Sequence, residues 1–375
     1  MSKEKIRLLL SARDVAAALA IINIVKIAQN DPRYEINVVA SDPAFTILRK
    51  EILVVHFFAN TPIDPWGKAD NDVLLHNAGK LIDEVDPHAI LVGLSGPSPG
   101  IDEALLAKAG NRPTYAIQDF WGDVNLELGK PASTYFVIDE EASQITHSKT
   151  STQTIVTGSV KHVGYNALDV LQLRGETRAS LGIGPEKKLI GFFGQPLWAF
   201  DNYEEILLKL GASANRVYDE KMLIFKPSPI ETPIQHKKAI KLLSAGGGKF
   251  FVNTLFPVES TLAACDIVIN CCSTCGLDQI MLNGLAPYPI GMVVYLLPEP
   301  LMNSWYRPRN GFNFLPKVLQ EVGLWVKDLN SLDEFLVTAG EVEKKQSSWL
   351  KACKLTQVST KAGDIILNTI ANDLS

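Results

Sequence analysis

The sequence predicts an α/β protein built as two similar units, each a parallel sheet covered by helices on both faces. Three observations carry that expectation. Apolar strand-like runs alternate with helical patterns along all 375 residues, the rhythm that yields parallel sheets with right-handed crossovers. A Gly/Pro hinge from Leu181 to Pro185 divides that rhythm into two blocks. Within the second block, residues 263–287 spell one strand–turn–helix unit: Ile267–Val268–Ile269, a small polar turn from Asn270 to Thr274, and a helix from Gly276 closed by Gly284.

In the first block the predicted strands are 6–10, 36–40, 53–57, 90–93, 114–117, 135–138 and 154–156, each a short apolar or β-branched run. Helices near 14–29, 43–50, 71–85, 101–110 and 140–148 separate them. Asp14, Asp42 and Asp102 stand at helix starts and Gly110 at a helix end. In the second block strands are predicted at 189–193, 222–226, 249–252, 266–270, 287–290 and 323–327. Helices fall at 202–210, 232–244, 257–264, 276–283, 332–341 and 343–352, with a last one at about 359–373. The apolar run 15–28 is interrupted by Asn23 and Lys26 and is too short to span a membrane, so it reads as a buried crossover helix.

Composition narrows the class. Hydrophobic residues make up 46% and charged residues 21%, as in ordinary globular proteins. A net charge of −5 without a basic stripe argues against a nucleic-acid partner. No signal-like segment opens the chain and its five cysteines make no disulfide framework, so a cytoplasmic location is expected.

The 263–287 unit suggests a chemistry. A strand entering a helix through a Ser-Thr turn aims backbone N–H groups and the positive end of the helix dipole at one point, which suits phosphate. Asp278, four residues after Thr274, shares that helix face, where its carboxylate would accept from ribose hydroxyls. Cys265, Cys271, Cys272 and Cys275 lie within eleven residues. A redox pair or a zinc site is one reading of them. Adjacent Cys271 and Cys272 would point apart, however, and no second Cys-x-x-Cys or His completes a ligand set, so buried inert thiols fit better.

This stretch resembles the C-terminal half-site of GT-B glycosyltransferases in Ser273–Thr274, Gly276, Leu277, Asp278 and the Gly284-Leu-Ala-Pro287 that follows. Glu is commoner in that family where Asp278 stands. Three further pieces resemble the same architecture in order. Val156 to His162 is similar to the segment that closes the first domain. Leu189 to Pro196 is similar to the first strand of the nucleotide domain with its tight loop at Gly194 and Gln195. Ile224 to Pro229 is similar to the strand whose cation, here Lys226, faces phosphate.

The resemblance implies two Rossmann-like domains whose parallel sheets face a central cleft. Residues 1–178 form the acceptor side, 179–357 the nucleotide side, and the helix of 358–375 packs back on the first. In it Gly194, Gln195, Lys226, Ser273, Thr274 and Asp278 would hold a nucleotide-diphosphate. On the acceptor side the loop from Gln118 to Asn125 offers Asp119 and Asp123 as general bases and Trp121 as a sugar platform. Ser95, in the small-residue loop from Gly93 to Gly100, would admit substrate. Arg13 stands where many family members have glycine, and would meet a charged donor or acceptor or pair with an acid at a helix cap.

Asp70-Asn-Asp72 matches a bare DxD pattern but reads better as a helix cap, and His88 as structural. The long segment 295–316, with Trp305, Arg307 and Arg309, reads as a lid or as an edge cover. The activity implied is metal-independent glycosyl transfer, as by a hexosyltransferase of polysaccharide or glycolipid synthesis. It needs no resident cofactor: the nucleotide-sugar is the donor substrate and a sugar or glycolipid the acceptor. Members acting on lipid-linked acceptors touch membranes peripherally, which leaves that contact open here. The alternatives are a nucleotide-sugar hydrolase or epimerase of the same fold, or a non-catalytic binding protein.

Overall fold

The computed structural model describes residues 4–58, 70–94 and 98–375. The chain divides into two compact units, Met1–Gly164 with Val358–Ser375, and Tyr165–Gln357. The boundary expected at 178 therefore moves upstream, and the helix Val170–Ser180 joins the second unit. Its two arginines explain why. Arg174 and Arg178 donate to the carbonyls of Ala263, Ala264 and Cys265 and pair with Asp266, at 2.7 and 3.1 Å.

The first unit carries a seven-stranded sheet ordered β3-β2-β1-β4-β5-β6-β7. Its strands are β1 (Ile6–Ala12), β2 (Tyr34–Ala40), β3 (His56–Phe57), β4 (Ala89–Gly93), β5 (Thr114–Ile117), β6 (Thr134–Val137) and β7 (Gln153–Val156). The second unit carries a six-stranded sheet ordered β10-β9-β8-β11-β12-β13. Here the strands are β8 (Lys188–Phe193), β9 (Lys221–Lys226), β10 (Phe250–Val252), β11 (Ile267–Asn270), β12 (Met292–Leu296) and β13 (Gly323–Val326). All the paired strands are parallel. The order reverses between β1 and β4 in one sheet and between β8 and β11 in the other. Such switch points open a crevice at the carboxyl ends of the strands.

Nine of the fourteen residues of the helix Val15–Ala28 are buried, and the C-terminal helix Ala362–Asp373 lies in the same core through Ile366, Leu367 and Ile370. Among the described residues no helix is long and apolar enough to cross a membrane. Asp70 caps the helix Asn71–Val85, its carboxylate accepting from the Asp72 and Val73 amides. His88 accepts from the Arg7 amide through Nδ1 at 3.0 Å.

Two expectations need correction. The strand expected at 287–290 is β12, Met292–Leu296. Pro287 and Pro289 lack the N–H groups a central strand needs, whereas Met292 to Leu296 is buried throughout and pairs on both sides. Asp102 is not a cap. The helix Ile101–Lys108 starts from Gly100, and Asp102 is buried inside its first turn.

Candidate active site

In the second unit the switch point is built as the sequence suggests, with a backbone feature that it conceals. β11 is buried and ends at Asn270, whose Oδ1 accepts from the Ser273 amide at 2.7 Å. Between them Cys272 adopts φ 67, a left-handed conformation that costs a non-glycine residue about 1 kcal/mol or more. Ser273 caps the helix Thr274–Leu285, its Oγ accepting from the Cys275 amide at 3.3 Å. The Gly276 amide donates to the Ser273 carbonyl at 2.9 Å, so the Ser273 cap takes two of the first-turn N–H groups.

Lys226, at the end of β9, approaches this turn. Its ammonium donates to the Phe256 carbonyl at 2.6 Å and makes no ion pair among the described residues. Burial holds its pKa below the usual lysine value, against the opposing pull of Cys275 and Glu259. Tyr165 closes one side, its hydroxyl donating to Glu259 at 3.2 Å and its pKa raised by burial and by the charges of Asp278 and Glu259.

Two backbone amides on this side are committed within the fold. The Gly194 amide donates to the Lys226 carbonyl at 2.9 Å and is not available to a phosphate. The residue is small because a Cβ there would lie 2.9 Å from the Phe225 ring. The Ser273 amide is likewise committed to Asn270, which leaves the Ser273 hydroxyl and the half-buried Thr274 end of the helix as the polar surface. Asp278, expected to meet ribose, is 1% exposed, and its charge bears on Tyr165 and Tyr295. Gln195 is half-buried, its backbone amide donating to the Tyr203 hydroxyl and its Oε1 without a partner among the described residues.

In the first unit the switch point holds a buried ion cluster. Arg13, 5% exposed, donates through Nη2 to the Ser98 carbonyl and lies 3.9 Å from both Asp102 and Glu103. Ser11 donates to Asp102 at 2.5 Å, and the Gly100 amide donates to Glu103 at 2.8 Å. A Cβ on Gly100 would sit 2.7 Å from the Arg13 side chain, so glycine makes the room. Burial pushes both acids above the usual carboxylate range, with their mutual repulsion adding for Asp102 and the Arg13 charge opposing. Arg13 is thus paired with acids, as the sequence allowed, but the acids come from a helix after β4.

Asp119 and Asp123 are half-buried on the loop after β5, and the charge of Asp123 reaches Glu103. Trp121 is not a sugar platform: it is fully buried, its Nε1 donating at 2.9 Å to both oxygens of Asp139. The Gly122 carbonyl accepts from Lys149 at 2.6 Å, so the loop turns its indole inward and locks it there. Ser95 lies outside the described residues.

Sequence reading missed Asp102, Glu103 and also Glu231. Glu231 is 6% exposed and accepts from Trp198 Nε1 at 2.7 Å beside Gly194. Its signal was a lone acid in a Pro-rich loop, which only the fold brings to β8. Cys265, Cys271 and Cys272 are buried thiols whose pKa burial raises, and none of the five cysteines is disulfide-bonded. Among the described residues no group of three or more His, Cys, Asp or Glu is placed to hold a metal ion.

No protein-family description matches this sequence, and no curated protein matches it. Solved structures do resemble it. A UDP-GlcNAc 2-epimerase from Neisseria meningitidis, bound to UDP-GlcNAc, superposes with a TM-score of 0.71 at 14% identity, over 98% of this chain and 100% of that one. S. aureus MnaA with UDP gives 0.70 at 13% identity over 98% and 97%. A glycosyltransferase from Rickettsia africae gives 0.63 at 10% identity over 99% of each. The likeness is one of fold: the chain has two Rossmann-like domains of the GT-B architecture.

Proposed function

We propose that this protein is an enzyme acting on a nucleotide-diphosphate sugar, with the diphosphate seated at the turn between β11 and the helix Thr274–Leu285. One observation carries the reading: a Ser-capped helix N-terminus at a switch point, approached by the half-buried ammonium of Lys226. A departing phosphate gains charge, and the positive end of a helix and a lysine in a partly desolvated site stabilise that charge more than water does. That the similar structures include proteins bound to UDP and to UDP-GlcNAc supports a UDP-sugar as the first candidate.

Glycosyl transfer is the leading reaction, with Asp119 or Asp123 accepting the proton of an acceptor hydroxyl. Epimerisation or hydrolysis is the second reading, favoured by the buried Asp102–Glu103 pair. Burial holds those acids protonated at higher pH than exposed carboxylates, as a proton-donating group requires. Titration with UDP and UDP-GlcNAc tests the binding, and NMR of products with and without a sugar acceptor separates the reactions. Transfer requires acceptor; an epimer or free sugar formed without one selects the second reading. Lys226→Ala is expected to weaken UDP binding at least tenfold, the worth of about one charged hydrogen bond. Unchanged affinity would remove Lys226 from the site.

A further inference from the structure

The loop tryptophan of the first unit is turned inward, but the second unit carries one that is not. Trp198 stands five residues beyond the end of β8, on the loop at the carboxyl ends of the strands. The strand order β9-β8-β11 sets that loop between Lys226, which ends β9, and the Ser273 turn, which follows β11. Its root is fixed there by the Gly194 amide, which donates to the Lys226 carbonyl at 2.9 Å. Trp198 is half-buried, so part of the ring stays open beside the crevice of the switch point.

The indole is clamped in place. Its Nε1 donates at 2.7 Å to Glu231, whose other oxygen accepts from the Ser228 amide at 3.0 Å. Glu231 is buried and makes no ion pair among the described residues. A carboxylate without a cation is costly to bury, and here it fixes the orientation of one ring. The ring also packs edge-to-face with Tyr203, the centroids 5.1 Å apart. From the helix Pro233–Ala245, Lys238 sets its ammonium over the ring, 5.2 Å from the centroid, while pairing with Glu204 at the surface. A cation settles over an indole because the ring face is electron-rich. The C–H groups of a pyranose carry partial charge of the same sign and suit the same face.

Gln195 supplies a polar group three residues before the ring. Its side-chain Oε1 is buried and has no partner among the described residues. A carbonyl oxygen accepts and does not donate, so it fits a hydroxyl or an amide N–H and not a phosphate oxygen. Left unpaired, such an atom is costly. An apolar C–H face beside polar hydrogens is the surface of a sugar ring. We propose that Trp198 is the platform on which the sugar of the bound nucleotide-sugar stacks, with Gln195 Oε1 accepting from one of its polar hydrogens and Glu231 as the positioning residue that holds the indole. This inference rests on the nucleotide-sugar reading and adds to it the wall that meets the sugar.

Calorimetric titration of the full chain with UDP, UDP-glucose and UDP-GlcNAc tests it. Trp198→Leu should weaken binding of a UDP-sugar roughly tenfold and leave UDP affinity unchanged, which also shows that the variant is folded. Trp198→Phe, which keeps a smaller ring, should recover part of the loss. Glu231→Leu frees the indole and should lower UDP-sugar affinity alone, whereas Glu231→Gln, which keeps an acceptor for Nε1, should restore it. Tryptophan emission is a second readout. A UDP-sugar should change it beyond the change that UDP causes, and the excess should vanish in Trp198→Phe. UDP-sugar affinity unaltered in Trp198→Leu, or an equal loss for UDP and UDP-sugar, overturns the platform and leaves the nucleotide reading. Binding of UDP with neither UDP-sugar does the same, and binding of none of the three overturns both.

Discussion

At the scale of single residues, charge burial separates the two units' ion clusters. Asp266 meets two arginines, and those charges with the Leu189 amide hold its carboxyl below the usual range despite burial. Such a group contributes stability above its unfolded pKa, near 3.8, and loses it as pH falls through the folded value. Asp266→Asn would strand two guanidinium groups and should cost about 3 kcal/mol at pH 7. In denaturant titrations the deficit should shrink as pH drops below about 4, and a deficit constant with pH would contradict the ion-pair account. Asp102 and Glu103 have the opposite sign. Burial raises both, so their contribution is complete below the unfolded carboxylate range and is lost as pH rises through the folded values. Asp102→Asn should therefore flatten the decline of stability above pH ~4. A decline as steep as the parent's would show that the pair holds no proton. Trp121 belongs to the same scale. A loop tryptophan flanked by acids suggests a sugar platform, but the acid that matters, Asp139, lies 18 residues on and draws the indole inside.

At the scale of the element, the strand–turn–helix around Ser273 was legible because its signals are local: a β-branched run, then a Ser-Thr cap. Its working parts were less so. The helix begins at Thr274, two residues before the periodic pattern suggests, because a capping side chain rather than an apolar face sets its start. The φ of Cys272 and the commitment of the Gly194 amide to the Lys226 carbonyl are details of the folded backbone, which no local pattern encodes. The cap itself can be tested apart from the ligand. Ser273→Ala should lower the second unit's stability by about 1 kcal/mol, whereas Ser273→Asp keeps an acceptor for the Cys275 amide. The aspartate would also set a negative charge where the phosphate belongs, so that variant should melt like the parent yet fail to bind UDP. Full UDP affinity in Ser273→Asp would place the anion elsewhere.

At the scale of the whole molecule, the two-block rhythm foretold two sheets of like order, because hydrophobic period and helix caps repeat in both halves. The first unit is nonetheless not contiguous in sequence. Its chain leaves at Gly164 and returns at Val358, and the returning helix is tied down at several points. The Tyr34 hydroxyl donates to the Leu367 carbonyl, Arg33 donates to Asn368 at 2.9 Å, and the Tyr115 hydroxyl donates to Asp373 at 2.8 Å. Ile366, Leu367 and Ile370 are buried in the core that contains Ile21 and Ile24. Three such side chains contribute about 1.5–3 kcal/mol each when buried, a sum that rivals the 5–15 kcal/mol stability of a typical domain. Deleting residues 360–375 should therefore unfold or loosen the first unit, with its central strands losing protection. Hydrogen exchange followed by mass spectrometry reads each unit separately. Amides of β1 and β2 should exchange at least a hundredfold faster in the truncated chain, while those of β11 and the helix Thr274–Leu285 keep their protection. Tyr115→Phe, which removes one of the ties, should cost about 1 kcal/mol and produce a graded version of the same pattern. Undiminished protection of β1 and β2 after truncation would mean that the first unit is complete without its C-terminal helix, and that the burial of Ile366 and Ile370 adds nothing it needs.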